Sequence, residues 1–599
     1  MLSAAILLLF LTYTTADFAG HGRAPHSESA PSYINHDESS VYDYVIVGGG
    51  VAGLVLAARL SEDPKTTVAL FEAGPDPQGN ADISTPFLAG ALQGSQFSWN
   101  FTSTPQPTLD GAAPDLAQGH CFGGGSAINV MAYCRGASSV FDEWAEISGI
   151  EGLRWDNLVN DFRMSTHLEI PPQDPPYEFV IDKAVYDDGN VSVSQERQLV
   201  KFEPFFLESF KDDPTNPAKI VDLTSGKTGI GLQVGGPHAI ESSNGTRSYA
   251  LTAYGFQVAG RPNVHLNHGT WVRKINFKGK TAESVTYVKS ADGSEHTVQG
   301  KEIIVSAGAI NTPKLLMLSG VGPEEHLKEL KIPVVQNSPE VGTNLADHHS
   351  AVVMVEVPDE IVSSVQLQTN KVLAASVQAE YQANGTGPLS TPGSSSFIAE
   401  RVPDDVLEGF KKAGINVDFH LNLPKDRAHV LHQYASAPFQ PDPQNLNVVS
   451  AFVALIQPEA TGYMRLNSSD YRVNPLIFSN YFGSEGDMAV FTYAYKRLLS
   501  KMRSQPIKQV VLSEVYPGTN TTSDEDIKKA IDNSARSFHH PAGSVSLGKA
   551  LDSSFRLKGL QGIRVIDSSA VPVLPTCHLQ ASVYALAEFA AKMLKSEKY

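Results

Sequence analysis

Cysteine is scarce in this chain: only Cys121, Cys134 and Cys577 occur among 599 residues. An odd number of thiols leaves at least one without an intramolecular partner, and three are too few for a disulfide-stapled scaffold. There is no CxxC pair and no Cys/His cluster at zinc spacing, so no metal site is expected. Positive charge is also in deficit, with 46 Lys and Arg against 64 Asp and Glu, a formal charge of −18 and a pI near 5.4. No nucleic-acid partner is expected, because phosphate binding needs clustered Lys and Arg. Long apolar runs are missing too. The opening MLSAAILLLFLTYTTA has one from Ala4 to Leu11, far short of the roughly 20 residues of a spanning helix. Small residues follow, with Thr14 and Ala16 at plausible −3 and −1 cleavage positions, so residues 1–16 read as a signal peptide even though Lys and Arg are absent before the run. The mature protein is expected in the secretory lumen or outside the cell, without a stable membrane anchor. Six Asn-x-Ser/Thr sequons, at Asn100, Asn190, Asn244, Asn384, Asn467 and Asn520, fit N-glycosylation. Asn100 falls in a predicted strand, which is expected to hide it. No internal repeat is present, and nothing in the sequence sets an oligomeric state.

What is present is enough apolar material, 42% hydrophobic and 9% aromatic, for two large regions with a shared core. A polar lead over 17–41 carries no hydrophobic period and reads as flexible. At Tyr42 the pattern YDYVIVGGGVAGLVLAARL passes from a β-branched run through glycines to a helical period, and TTVALFEAG supplies a second strand ending at Glu72. Between Thr270 and Val305 the residues alternate like antiparallel strands. AVVMVEV and NVVSAFVALI later suit another sheet, GIRVIDSSAVP reads as a buried strand with a turn, and LQASVYALAEFAAKMLKS reads as a long amphipathic helix.

Gly48, Gly50 and Gly53 form a GxGxxG turn between that first strand and helix. The first glycine permits the tight turn, the second lets backbone approach a pyrophosphate, and the third lets helix pack on strand. Val51 and Ala52 then present the N–H groups of the helix start to an anion. Glu72, 19 residues beyond Gly53, stands where a carboxylate meets ribose hydroxyls and repels a 2′-phosphate. Dinucleotide binding follows; the turn does not choose between FAD and NAD.

Resemblance makes that choice. GHCFGGGSAINVMAYCRGASSVFD, Gly119 to Asp142, resembles the first signature of the glucose-methanol-choline (GMC) oxidoreductase family at Gly123, Gly124, Gly125, Ser126, Ile128, Asn129, Tyr133, Gly136 and Asp142. GAINTPKLLMLSGVG, Gly308 to Gly322, resembles the second. Trp99 in FSWNFTSTPQP, VGTNLADH ending at His348, HPAGS at His540 and IDSSAVP around Asp567 extend the likeness from Tyr42 to the end of the chain. The resemblance implies an α/β fold: a Rossmann-like FAD-binding domain (42–145, 226–349 and 537–599) with a discontinuous α+β substrate domain on an antiparallel sheet (146–225 and 350–536). It implies FAD as cofactor, with Gly124, Ser126, Asn129 and Val130 along the flavin loop and Asp567 and Ser568 near the ribityl or pyrophosphate end. Two departures stand out: His120 replaces a residue that is usually Arg, and Phe122 replaces an aliphatic one. Some members tether FAD through a histidine just before the matching asparagine; this chain has Ile128, so the FAD is expected to be non-covalent.

SFHHPAGS places His540 in the family's HPxG pattern, and LPTCHLQAS places His578 where a second His or Asn is expected. An alcohol gives up hydride readily only as its hydroxyl proton leaves, and an imidazole with an ordinary pKa near 6.5 accepts that proton near neutral pH. His540 is assigned as general base and His578 as the group that orients the substrate oxygen, with the roles open to sharing or reversal. His539 is expected to point away from His540, since Pro541 favours an extended segment. Tandem His348 and His349 read as a loop packed near the cofactor, and Cys577 as a small structural residue. The implied reaction is oxidation of a small primary or benzylic alcohol, with oxygen or another acceptor reoxidising the flavin. Its character is nearest to secreted aryl-alcohol oxidase-like and fungal secondary-metabolite members, and a sugar substrate is the lesser alternative. The second reading is a non-redox lyase or cyclase of the same family, of hydroxynitrile lyase or versicolorin B synthase type, with FAD kept as structure. A flavin-binding protein without catalysis is the third, disfavoured because both expected catalytic positions carry histidine.

Overall fold

The computed structural model describes Tyr33 and residues 40–597. The expected signal peptide lies outside the described residues, as does the lead apart from Tyr33 and residues 40–41. Tyr33 is packed rather than loose: its ring meets Phe122 edge-on at 5.4 Å and its hydroxyl donates to Asp76. No helix among the described residues is long and apolar enough to cross a membrane.

The first sheet runs Val264–Asn267, Val68–Phe71, Val41–Val47, Glu295–Val305, Thr281–Lys289, Thr270–Lys278, with Ile563–Val565 also paired to Glu295–Val305. The first four strands and Ile563–Val565 are parallel, and the last two join antiparallel, as their alternation predicts. Val45, Ile46, Val68 and Leu70 are fully buried because helices cover this sheet, which is why the strands read as continuous apolar runs. The helix Val51–Leu60 and the terminal helix Gln580–Glu597 pack on one another. The terminal helix is more than amphipathic: almost every residue from Gln580 to Ala591 is buried, and its Glu588 accepts from Arg59 and Tyr254 inside the core.

The second sheet runs Ser513–Tyr516, His349–Glu356, Val448–Leu455, Val430–Ala435, Phe397–Glu400, Gly231–Gln233, and is antiparallel throughout. Period two sorts its central strand. Ala351, Val353 and Val355 join the core under the helix Glu485–Met502, while Ser350 and Val352 face a cavity shared with the first sheet.

The expected boundaries do not coincide with these two cores. Ile150, Leu158, Phe162, Val185 and Val193 pack into the first core, and the helix Trp155–Ser165 lies on the terminal helix, where Lys592 pairs with the buried Asp161. Tyr177 and Phe179, between them, pack against the second core, which the chain then enters from Leu199 to Phe210. Conversely, Gly231–Gln233, expected with the cofactor region, is an edge strand of the second sheet. Three residues opening on glycine carry no hydrophobic period, so pairing alone decides their place.

Cys577 is not a free structural thiol. It is joined to Cys134 across 443 residues, leaving Cys121 buried and unpaired. Asn100 does lie in a strand, Ser98–Thr102, yet it is exposed, as are Asn384, Asn467 and Asn520, because that face of a two-stranded ribbon meets solvent.

Candidate active site

The cavity between the sheets is lined by every candidate site residue except Gly53. Gly53 sits beneath it: a Cβ there would lie 2.0 Å from the carbonyl oxygen of Gly48, so only glycine lets the helix close on the strand. Gly124, at φ +53°, faces Gly50, whose Cα would lie 2.7 Å from an added Cβ. The two glycine loops therefore meet as bare backbone. The helix Val51–Leu60 starts at Gly50 without a side-chain cap, leaving its first N–H groups for an anion. Glu72 accepts from the N–H of Gly49 and of Gly74; burial raises its pKa to about 7 against the pull of those donors. Uncapped helix start, bare backbone and a recessed acid fit the pyrophosphate and ribose of a dinucleotide.

The remaining cofactor candidates are held from behind. Ser126 donates to the Gly123 carbonyl and accepts from Ala250 N–H. Asn129 donates to Gln580, and its oxygen accepts from Met131 N–H and from the buried Arg247, which also reaches the carbonyls of Ser126 and Asn129. Arg247 is thus the brace of this loop, and no motif marks it. Val130 is half exposed at the rim. The Asp567 carboxylate is spent internally on Gly308 N–H, Thr312 and Ser569, so this residue fastens the second signature turn beside Ser568. His120 does not reach the cavity: its ring packs 3.9 Å from Trp99 and its Nδ1 meets the Gln96 carbonyl.

The two candidate catalytic histidines are brought together. His540 Nε2 lies 3.4 Å from His578 Nδ1, with the rings edge to face. They belong to a row of four side chains, two of which sequence reasoning did not place there. His348 Nδ1 lies 2.9 Å from His540 Nδ1, and Gln433 Oε1 lies 3.1 Å from His578 Nε2. Asp347 pins the row from below: its carboxylate accepts from the backbone N–H of His540 at 2.8 Å and from Ser537 and Tyr481. Burial raises Asp347 to about 6, with those donors opposing. Burial pushes the His578 and His348 imidazoles down to about 3 and His540 well below 6.5, the last helped by repulsion from His578, His348 and His539. All three rings are therefore neutral around pH 7, the state in which one nitrogen donates and the other accepts.

Each neutral ring has one nitrogen that donates and one that accepts, so the row carries its protons in one of two directions. In either direction the contacts His348–His540, His540–His578 and His578–Gln433 are all made, with the Gln433 amide presenting its oxygen or its NH2 accordingly.

Tandem His348 and His349 diverge, as successive residues entering a strand must. His349 packs against Tyr481 and Phe482 on the far face. Among the described residues no group of three or more His, Cys, Asp or Glu is placed to hold a metal ion. His539 departs from the expected extended backbone, with φ +61°, and its Nδ1 accepts from Ala117 N–H at the cavity wall. The cross-links of the second loop converge here as well. The Cys134–Cys577 bridge ends one residue before His578, and Thr576 accepts from Ala137 N–H.

Comparison with known proteins places these features in context. The family model GMC oxidoreductase matches in two parts, over residues 42–350 and over residues 458–587. The chain is 30% identical to a pyranose dehydrogenase of Agaricus xanthodermus over 95% of its own length and 94% of the relative's. In three dimensions it is similar to a formate oxidase of Aspergillus oryzae, with TM-score 0.85 and 26% identity over 94% of this chain and 99% of that one. It is also similar to a fungal aryl-alcohol oxidase, with TM-score 0.79 and 25% identity over 93% and 99%.

Proposed function

The chain belongs to the GMC oxidoreductase family as an FAD-dependent enzyme acting on CH–OH donors, and within that class we propose that it oxidises a small primary alcohol of benzylic type to the aldehyde. The observation that carries this reading is the wall beside the histidine pair. Phe538 packs 5.1 Å from His540 and 5.4 Å from His578, ring to ring, and Phe452 follows at 5.5 Å. Such a wall suits the flat apolar body of a benzylic alcohol.

FAD is held, on this reading, by Gly48, Gly50, Val51, Ala52 and Glu72 over Gly53, by Gly124, Ser126, Asn129 and Val130, and by Asp567 and Ser568. When bound it supplies the acceptor for the hydride, and oxygen or another acceptor takes the electrons onward. The residues of the chain manage the proton and the oxygen. A hydroxyl placed against both His540 Nε2 and His578 Nδ1, replacing the contact between them, donates to the first and accepts from the second. The O–H proton passes to His540, the carbon loses its hydrogen with the bonding pair, and a carbonyl remains while His578 steadies the oxygen. Asp347, His348 and Gln433 keep the two rings in place and set their tautomers.

Anaerobic mixing with benzyl alcohol tests the reading, since bleaching of the oxidised flavin band appears only if hydride is transferred. Bleaching by glucose but not by benzyl alcohol would move the assignment to a sugar substrate, in keeping with the pyranose dehydrogenase relative; no bleaching by any alcohol would favour a lyase or cyclase. Ile128 at the tethering position supports dissociable FAD; yellow colour retained in an acid-precipitated pellet would overturn that. The Cys134–Cys577 bridge and the exposed sequons support a secreted glycoprotein, for which an endoglycosidase mass shift is the check.

A further inference from the structure

Arg536 lines the cavity and has no use in the chemistry so far. Arg536 and Ser537 form a short strand paired antiparallel with Ser350 and His349. Register sets Arg536 opposite Ser350, and period two puts both on the face that also carries Val352, Phe452 and Gln433. All five line the cavity with His540 and His578. The guanidinium lies 4.9 Å from the centre of the Phe439 ring, and one nitrogen donates to the Phe439 carbonyl. Its Nε is buried without an acceptor. Asp115, Tyr516 and His539 lie near enough to feel the charge, yet none forms an ion pair with it among the described residues. Burial without a counter-ion brings this arginine down to about 10. From Phe439 the rings of Phe452 and Phe538 lead on to the histidines, at 5.9, 5.5 and 5.4 Å between successive centroids. An apolar corridor thus joins a cation to a proton-accepting pair.

We propose that Arg536 anchors a carboxylate of the substrate, so that the preferred alcohol carries its CH2OH at the histidines and an acid group at the other end of an aromatic or apolar body. This rests on the alcohol-oxidation reading above. A guanidinium offers two parallel N–H donors that match a carboxylate. A single cation with Asp115 in its field suits a monoanion better than a phosphate dianion.

The test uses the holoenzyme and two readouts. In the first, 4-methylbenzoate and 4-methylbenzamide are titrated while perturbation of the flavin absorption is followed, which needs no turnover. In the second, anaerobic flavin reduction by 4-(hydroxymethyl)benzoate is compared with reduction by its methyl ester. Wild type should favour the carboxylate by about tenfold or more in both, the scale of a charged hydrogen-bonded pair. R536Q should weaken the acid at least about tenfold more than the neutral partner, mainly in KM, and R536K should recover part of the difference. Equal affinity of wild type for acid and amide, or equal losses in R536Q, would overturn the anchor. Arg536-dependent carboxylate binding without flavin reduction by any alcohol would uphold the anchor and remove the oxidation reading.

Discussion

The two walls of the cavity are built by opposite means. The wall proposed to hold the cofactor is backbone: Gly48, Gly50 and Gly124 with an uncapped helix start, contributed by two short stretches of contiguous sequence. The wall proposed to face the substrate is side chain: His348, Gln433, Phe452, Arg536, His540 and His578 arrive from separate strands and loops, and strand register sets which of them share a face. A backbone cradle this close leaves no room for added side chains, whereas a side-chain wall can be rewritten residue by residue without touching the cradle.

That contrast can be broken most severely at His540. His540→Ala should slow anaerobic flavin reduction by about 10²–10⁴-fold, the usual worth of a positioned base, while flavin content after gel filtration stays at the wild-type level. Unchanged reduction would remove the base assignment, and lost flavin would show that the two walls are not separable. Next comes the covalent bond between them. Cys134 follows the flavin loop and Cys577 precedes His578, so the double serine variant should lose about 2–5 kcal/mol of stability, as small domains do on losing a native bridge. Thermal unfolding of the holoenzyme checks this, and an unshifted Tm would make the bridge idle.

The cradle is probed by Gly124→Ala. An alanine held at φ +53°, ψ −133° is strained by about 1–3 kcal/mol, and its methyl would crowd Gly50, so FAD affinity measured by flavin fluorescence should fall about tenfold while the rate of flavin reduction at saturating FAD holds. The smallest effect concerns pH. Because burial, then repulsion from His578, His348 and His539, lowers the pKa of His540, its accepting form persists as pH falls, and kcat/KM should stay level through 6.5 and decline only well below it. His578→Asn removes one repelling neighbour, so the acid limb should shift to higher pH; a limb at the ordinary imidazole value in wild type would contradict the neutral row.

Legibility followed the same division. The GxGxxG turn, Glu72 and both histidine positions, which meet at one cavity, could be singled out as candidates because each sits in a short motif with its own spacing. His348, Gln433, Arg247 and Arg536 could not be assigned roles. Tandem histidines after Asp347 gave no hint of which ring would turn toward His540, Gln433 lies in an ordinary strand 145 residues from His578, and Arg247 braces the flavin loop from 118 residues away. The core that the helix Trp155–Ser165 joins was illegible for a related reason, since its amphipathic face suits either one.

By itself the sequence determined the glycine turn and the parallel sheet beneath it, and singled out two imidazoles as candidates, because those depend on backbone freedom, local period and short motifs. Only the tertiary structure decided that His348 and Gln433 flank them, that Cys577 is bridged, and that an arginine closes an aromatic corridor. Such meetings are set by strand register and packing across hundreds of residues, and neither leaves a local trace along the chain.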